Sequence, residues 1–385
     1  MGLIKDYKKV GFSKALISLY SGKLLMDFGM KIFSLFLPIF LYQQFRDINI
    51  VIVYFVVTSL GYFLLGAWGA RLINHIGIKA SLIIAVLWRI PYFWAFYNFS
   101  DDPWAYLILA AVSVSMVRTF FWLPFHTESA LLSDKKHRGK QMGILFSAAS
   151  LLSIAAPAVG GFVIENWSFT SLVIVAVIFV VSSIIPFFFL PRTKEEYSWS
   201  YGETFKYFFH PYNQNMEIAY MSKGLVDVIQ AVFWPIFIFS ILDEKFQTVG
   251  LITSGVLLVG LILRLFIGNL LDKFHKTKLV KIGVGLNATA WLLKIGVVSA
   301  LQVFIISTYH TLALVVLGTS VDTLVYEKAA DRGHYADEYT MIKEMAINLG
   351  RVVGLIFIAV LLFFLPLQVS FFVAAFVVLF INLLK

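Results

Sequence analysis

Lys23 and Asp27 stand four residues apart in an otherwise oily stretch, and Lys223 and Asp227 repeat that spacing 200 residues later. On a helix an i, i+4 step turns the side chain by only about 40°, so each pair shares one face and can meet. Lys31 continues the first series by one more such step. Charges inside a membrane span are costly and mark solute or ion paths by default. The same spacing also lets each pair neutralise itself within its own helix. Arg118 has no acid within four residues along the chain, so it needs a partner from another helix, water or an anion. Trp122 follows it by one turn. The candidate solute-binding residues are therefore Lys23, Asp27, Lys31, Arg118, Trp122, Lys223, Asp227 and Gln230. Candidate proton carriers are Asp27, Asp227, Glu128 and Asp322, whose carboxyls respond to burial and to neighbouring charge, and the imidazoles His126 and His310.

Other chemistries lack their residues. The chain has no cysteine, which removes disulfides, thiolate metal sites and cysteine nucleophiles. No phosphate-binding G-x-x-x-x-G-K-[ST] loop, His-Glu-x-x-His or Gly-x-Ser-x-Gly pattern occurs. His126 and Glu128 lie about 200° apart on a helix, so they do not form one site. No cofactor, metal or enzymatic activity is expected.

The elements that must position these charges are membrane helices. Of 385 residues, 60% are hydrophobic and 14% charged, against roughly 25% charged in average globular proteins. Apolar runs at 15–44, 51–73, 80–99, 104–132, 141–164, 168–190, 214–242, 248–271, 279–298, 301–326, 339–363 and 367–384 predict twelve spans. The first begins after Lys5, Lys8, Lys9 and Lys14, like a signal peptide. Its length and the absence of a small-residue cleavage site make it a retained span. Lys and Arg concentrate at the N-terminus, in the even-numbered loops and at the C-terminus, whereas the odd-numbered loops hold only Arg46 and Lys245. The positive-inside rule then places both termini in the cytoplasm. The net charge of +9 is read as this topology signal and not as nucleic-acid binding. The polar stretch 191–213 divides the chain into six-helix halves, 1–190 and 214–385.

Two further segments repeat. Ala70-Arg71-Leu72-Ile73-Asn74-His75-Ile76-Gly77-Ile78-Lys79 is matched, 198 residues on, by Gly268-Asn269-Leu270-Leu271-Asp272-Lys273-Phe274-His275-Lys276-Thr277-Lys278. That offset agrees with the one between Lys23 and Lys223, which indicates duplication. Both segments resemble the G-x-L-x-D-R-x-G-R-K loop of the major facilitator superfamily. Ala155-Ala156-Pro157-Ala158-Val159-Gly160-Gly161 is similar to the G-P-x-x-G-G motif of that superfamily's antiporters. The resemblance implies an all-α membrane fold of twelve helices in two pseudo-symmetric bundles, with the first, fourth, seventh and tenth helices lining a central cavity. It also implies a gate at Arg71, Asn74, Lys79, Arg264, Asp272 and Lys273. Asn74 stands where the family carries an acid and cannot supply that charge.

Within the spans nine bases face five acids (Asp27, Glu128, Asp227, Asp322 and Glu344), so the cavity should favour anions. Glu344, Asn348 and Arg351 share one helix face, and Lys294 is expected to reach the outer surface. The expected function is secondary transport of a small anionic or amphipathic solute by alternating access, with protons as a candidate coupling ion. A lipid flippase or a drug/proton antiporter would use the same fold. A receptor or embedded enzyme is the remote alternative. The expected partners are a small molecule or lipid, protons and the bilayer. The expected state is a monomer in the plasma or inner membrane.

Overall fold

The computed structural model of the chain describes residues 12–133, 138–193, 197–271, 276–330 and 336–384. Within them lie sixteen α-helices: α1 (Lys14–Ser34), α2 (Leu37–Phe45), α3 (Ile48–Ile76), α4 (Ile78–Leu87), α5 (Arg89–Tyr97), α6 (Pro103–Leu132), α7 (Arg138–Asn166), α8 (Phe169–Ser182), α9 (Ile184–Phe188), α10 (Tyr201–Phe208), α11 (Gln214–Ile241), α12 (Phe246–Leu271), α13 (Lys276–Ile295), α14 (Ala300–Ala330), α15 (Ala336–Leu362) and α16 (Val369–Val377). A 3-10 helix, Val378–Leu384, follows α16.

Side-chain caps satisfy the first backbone amides of several helices. Ser13 accepts from Leu16 N at 3.1 Å, Asp47 from Asn49 N at 2.8 Å, Asp102 from Ala105 N at 3.1 Å and Ser168 from Ser171 N at 3.0 Å. Proline explains where three predicted spans divide. Its ring clashes with the carbonyl four residues earlier and leaves it without a donor. α1 ends at Ser34, four before Pro38; α4 ends at Leu87, four before Pro91; α8 ends at Ser182, four before Pro186. Pro124, Pro157 and Pro235 sit inside unbroken helices.

Among the described residues, ten segments are long and apolar enough to cross a membrane. The other two predicted spans fall short of that description for different reasons. α13 carries Lys278, Lys281 and Lys294 among its apolar residues, and Val369–Leu384 is too short. The chain is an integral, multi-pass membrane protein. Its exposed residues include many large apolar side chains, such as Phe189, Phe266 and Phe364. Such a surface suits hydrocarbon and not water.

Glycine sets how closely helices approach. A Cβ on Gly224 would overlap the backbone of Ile347, and one on Gly350 the backbone of Met221, so α11 and α15 touch main chain to main chain. The Gly161 and Gly250 region does the same for α7 and α12, where Ala158 N donates to Ser254 Oγ at 3.0 Å. Aromatic rings fill the spaces farther out. Phe33 contacts Tyr92, Phe93, Phe96 and Phe169, and Phe40 stacks on Phe169 with centroids 3.7 Å apart.

Gly224→Leu should therefore force α11 and α15 apart and lower the melting temperature in detergent by roughly 5 °C or more. Gly285→Leu, which meets open space, should leave it unchanged. Equal melting temperatures for the two variants would contradict the close-approach account.

Candidate functional site

α6 presents Arg118, Trp122 and His126 at successive i+4 steps, and α1 meets this face with Lys23 and Asp27. Lys23 Nζ lies 2.7 Å from Asp27 Oδ2. It also sits over the rings of Phe125, Trp122 and Phe121, with centroid distances of 4.9, 5.4 and 5.7 Å. The ammonium thus has one anionic partner and an aromatic wall, which together offset part of its desolvation. Lys31 donates instead to Ser153 Oγ on α7. His126 stacks on Trp122 at 5.8 Å and feels the charges of Lys343 on α15 and Lys23 on α1. The α1–α6 face and the start of α15 therefore share one electrostatic environment.

The arginines depart from this pattern. Arg118 on α6 feels Arg351 on α15, Arg89 on α5 and the phenols of Tyr54 and Tyr92. Tyr62 on α3 feels Glu344, Arg118 and Arg351. Arg89 Nη1 donates to Met30 Sδ at 2.7 Å, and Arg351 Nη1 donates to Asn348 Oδ1 at 3.4 Å. Among the described residues, no carboxylate lies within 4.0 Å of any of the three guanidiniums. Arg89 Nε, Arg118 Nη1, Arg351 Nε and the Tyr62 hydroxyl are buried without a hydrogen-bond partner. Like charges in a low dielectric repel one another, and their unfilled donors leave hydrogen-bonding capacity unused. Sequence reasoning reached Arg118 but gave Arg89, Tyr54, Tyr62 and Tyr92 no role. The one-face series Glu344, Asn348, Arg351 was the available signal for α15.

In α11, Lys223 Nζ and Asp227 Oδ2 pair at 2.6 Å, as the spacing predicted, and both side chains are more than a third exposed. Gln230, expected with them, turns elsewhere: its Oε1 accepts from Lys294 at 2.5 Å. Lys294 does not reach the outer surface. It is fully buried beside His310. Glu128 is also fully buried and accepts from Thr193 Oγ1, at the end of α6 that meets the polar linker. Asp272 and Lys273 lie outside the described residues, and the side chain of Asp322 on α14 is likewise undescribed. Arg264 and Arg71 are exposed.

At the linker-bearing end, the uncharged Asn74 still makes a tie. Its Nδ2 donates to Tyr197 O at 3.0 Å, and Tyr197 N donates back to Oδ1 at 2.9 Å. Ser198 N donates to Glu338 Oε1 at 2.9 Å, and Trp199 contacts Tyr339. The linker thus bridges α3 and α15. Lys79 donates to the Phe188 carbonyl. α10 opens with a capping box, in which Ser200 N donates to Glu203 Oε2 at 2.7 Å and Glu203 N donates to Ser200 Oγ at 3.2 Å. Burial raises the Tyr197 phenol, which shares a hydrogen bond with Thr204.

The sequence model of the Major Facilitator Superfamily matches residues 19–212, half of the chain. The chain belongs to the Major Facilitator Superfamily. No match to a curated protein was found. Among solved structures, a mutant of the nucleoside transporter NupG superposes with a TM-score of 0.72 at 13% identity, covering 95% of this chain and 97% of that one. The peptide transporter POT in complex with sulfate gives 0.72 at 11% identity, covering 97% and 94%. At such identities the likeness is one of fold. Family and fold are those of transporters, as the two loop signatures implied.

The linker makes a prediction outside the membrane. The Ser200 amide, and secondarily its hydroxyl, hold the Glu203 carboxyl below its usual range. A lowered value means that the cap is complete above the ordinary carboxylate range and is lost as pH falls through Glu203's own value. The protection of amides at the start of α10, measured as exchange relative to the intrinsic rate at each pH, should therefore fall on acidification in the parent. In Glu203→Ala that protection should be low at every pH. The same pH dependence in both proteins would refute the role of the box.

Proposed function

We propose that this protein is a secondary transporter that moves a small anionic or amphipathic solute by alternating access between two halves, 1–190 and 214–385, joined by the linker 191–213. The observation that carries this reading is that Arg118 and Arg351, one from each proposed half, feel each other's charge while, among the described residues, no carboxylate lies within 4.0 Å of either. A buried guanidinium without a counterion costs several kcal/mol, and a second one nearby adds repulsion. An oxyanion between them supplies the missing acceptors. It can also take bidentate hydrogen bonds from either fork. Tyr62 and Arg89 complete the donor set, and the Lys23–Asp27 pair with Trp122 offers a mixed polar and aromatic wall to the rest of the solute.

Alternating access then rests on the interfaces already described. α3–α15 and α7–α12 are the contacts across which the halves rock. The basic bias of the N-terminus and even-numbered loops supports cytoplasmic termini in a plasma or inner membrane. One chain supplies both halves, which suits a monomer. Proton coupling would draw on Asp27, Asp227, Glu128, Asp322, His126 or His310. A phosphorylated lipid headgroup presents the same anionic chemistry as a soluble phosphate ester. Flux of a soluble ester against flip of a headgroup-labelled lipid separates carrier from flippase.

Binding of a panel of phosphate, sulfate, carboxylate and cationic compounds by the purified chain tests the sign of the site. Arg118→Gln should weaken binding of the preferred anion by roughly tenfold to a hundredfold. Arg118→Lys should fall between, because it keeps the charge and loses the fork. Unchanged binding of every anion in Arg118→Gln, or a preference for cations in the parent, would end the proposal.

A further inference from the structure

Lys294 is fully buried in α13, and among the described residues no carboxylate lies within 4.0 Å of it. A lysine in that setting is unusual, since the charged residues almost never go fully inside unless paired. Its surroundings are specific. Nζ lies 2.5 Å from Gln230 Oε1 on α11 and 2.8 Å from His310 Nδ1 on α14. The rings of Trp291 and Trp234 cover it, with centroids 4.1 and 4.3 Å away. His310 Nε2 lies 3.4 Å from Asn287 Oδ1, while Asn287 Nδ2 has no partner. Phe371 of α16 closes the box against both tryptophans.

Other charges are remote or paired. On α11 the titratable neighbours are Lys223 and Asp227, which bond to each other. On α13, Lys278 and Lys281 are exposed, three turns or more away. On α14, Tyr309 bonds to Thr289, and the Asp322 side chain, three turns on from His310, is undescribed. α16 and the 3-10 helix after it contain no titratable side chain.

The lysine amine and the imidazole of this box can both stay hydrogen-bonded in two protonation states. In the charged state the ammonium donates to Gln230 Oε1 and to His310 Nδ1, and its third proton faces the indoles. His310 Nε2–H then donates to Asn287 Oδ1. In the neutral state the amine keeps its bond to Gln230 and accepts from His310 Nδ1–H. The bare Nε2 then accepts from Asn287 Nδ2 once that amide turns over, which gives the unpartnered donor its acceptor. The two states differ by one proton, by the histidine tautomer and by one amide flip. Neither requires a carboxylate. A lysine present only for packing would be replaced at lower cost by methionine.

We propose that Lys294 and His310 together form a proton-binding site, taking up and releasing one proton in each transport cycle. The coupling role rests on the transporter reading above, whereas the proton site itself does not. Gln230 links the box to the solute-facing part of α11, because Asp227 lies one turn earlier on the same helix. Loss of the proton removes the cation beneath Trp234 and Trp291, and so changes the packing of α11 on α13.

The probe is the proton itself, read by the full chain in detergent. Tryptophan emission of the parent, titrated over roughly pH 5 to 9, should show a single-proton transition. Lys294→Met and His310→Gln should both lose it. Gln230→Glu, which sets an acid beside the ammonium, should hold the emission at its acid-side value across the range. Parent-like transitions in Lys294→Met and His310→Gln would overturn the assignment, as would a normal transition in Gln230→Glu. If Lys294→Met fails to fold, the other two variants decide. In liposomes, Lys294→Met should cut pH-driven uptake of the preferred anion at least tenfold while leaving anion exchange intact. Absence of any uptake by the parent would sink the transporter reading and leave the emission test standing.

Discussion

A charge placed in hydrocarbon must find compensation from the protein, because the lipid offers none. This chain places charged side chains on α1, α5, α6, α11, α13 and α15, and its architecture follows from how each is compensated. Lys23 and Lys223 each have an aspartate one turn away. Lys31 has a serine hydroxyl from α7. Lys294 has an amide, an imidazole and two indole faces. Glu128 has a threonine from the linker. Arg89, Arg118 and Arg351, among the described residues, keep buried donors with neither an acid nor a hydrogen-bond partner. On the proposed reading their missing partner is the solute itself.

Holding those groups in place takes close-packed helices. Small residues let α11 reach α15 and α7 reach α12 at backbone distance, so the charged faces are fixed by main-chain contact and not by long flexible side chains. Proline shapes the same helices differently according to position. Pro38, Pro91 and Pro186 coincide with breaks, whereas Pro124, Pro157 and Pro235 do not. Pro157 lies at the α7–α12 crossing, where the backbone of Gly250 approaches it directly. A helix that has lost a backbone hydrogen bond at such a crossing bends more readily there than elsewhere.

Much of this was legible in the sequence, for physical reasons. Hydrocarbon thickness fixes span length, so the helix boundaries moved by only a few residues. Period and spacing fix which side chains share a face, so Lys23 meets Asp27 and Lys223 meets Asp227 as expected. Contacts between helices far apart in sequence leave no such periodic mark. That is why Gln230 was expected with Lys223 and Asp227 but bonds to Lys294, and why Lys294 was expected at the surface. The same reason hid the tyrosines around Arg118. Asn74 shows another limit: its lack of charge was plain, but its double hydrogen bond to Tyr197 depends on where the linker runs.

The linker and the arginines act on the same pair of helices. Asn74 and Glu338 hold the ends of α3 and α15 together through Tyr197 and Ser198, while Tyr62 on α3 feels the charges of Arg118 on α6 and Arg351 on α15. On the proposed division Arg118 and Arg351 belong to opposite halves, and they repel each other in a low dielectric, where Coulomb energies are many times those in water. On the proposed reading an anion between them reverses the sign of that interaction. Repulsion across the interface becomes attraction through the solute. An empty site then favours separation of the halves along this seam, and a filled site favours approach. On that reading the anion's own charge supplies the differential free energy between open and closed forms that alternating access requires.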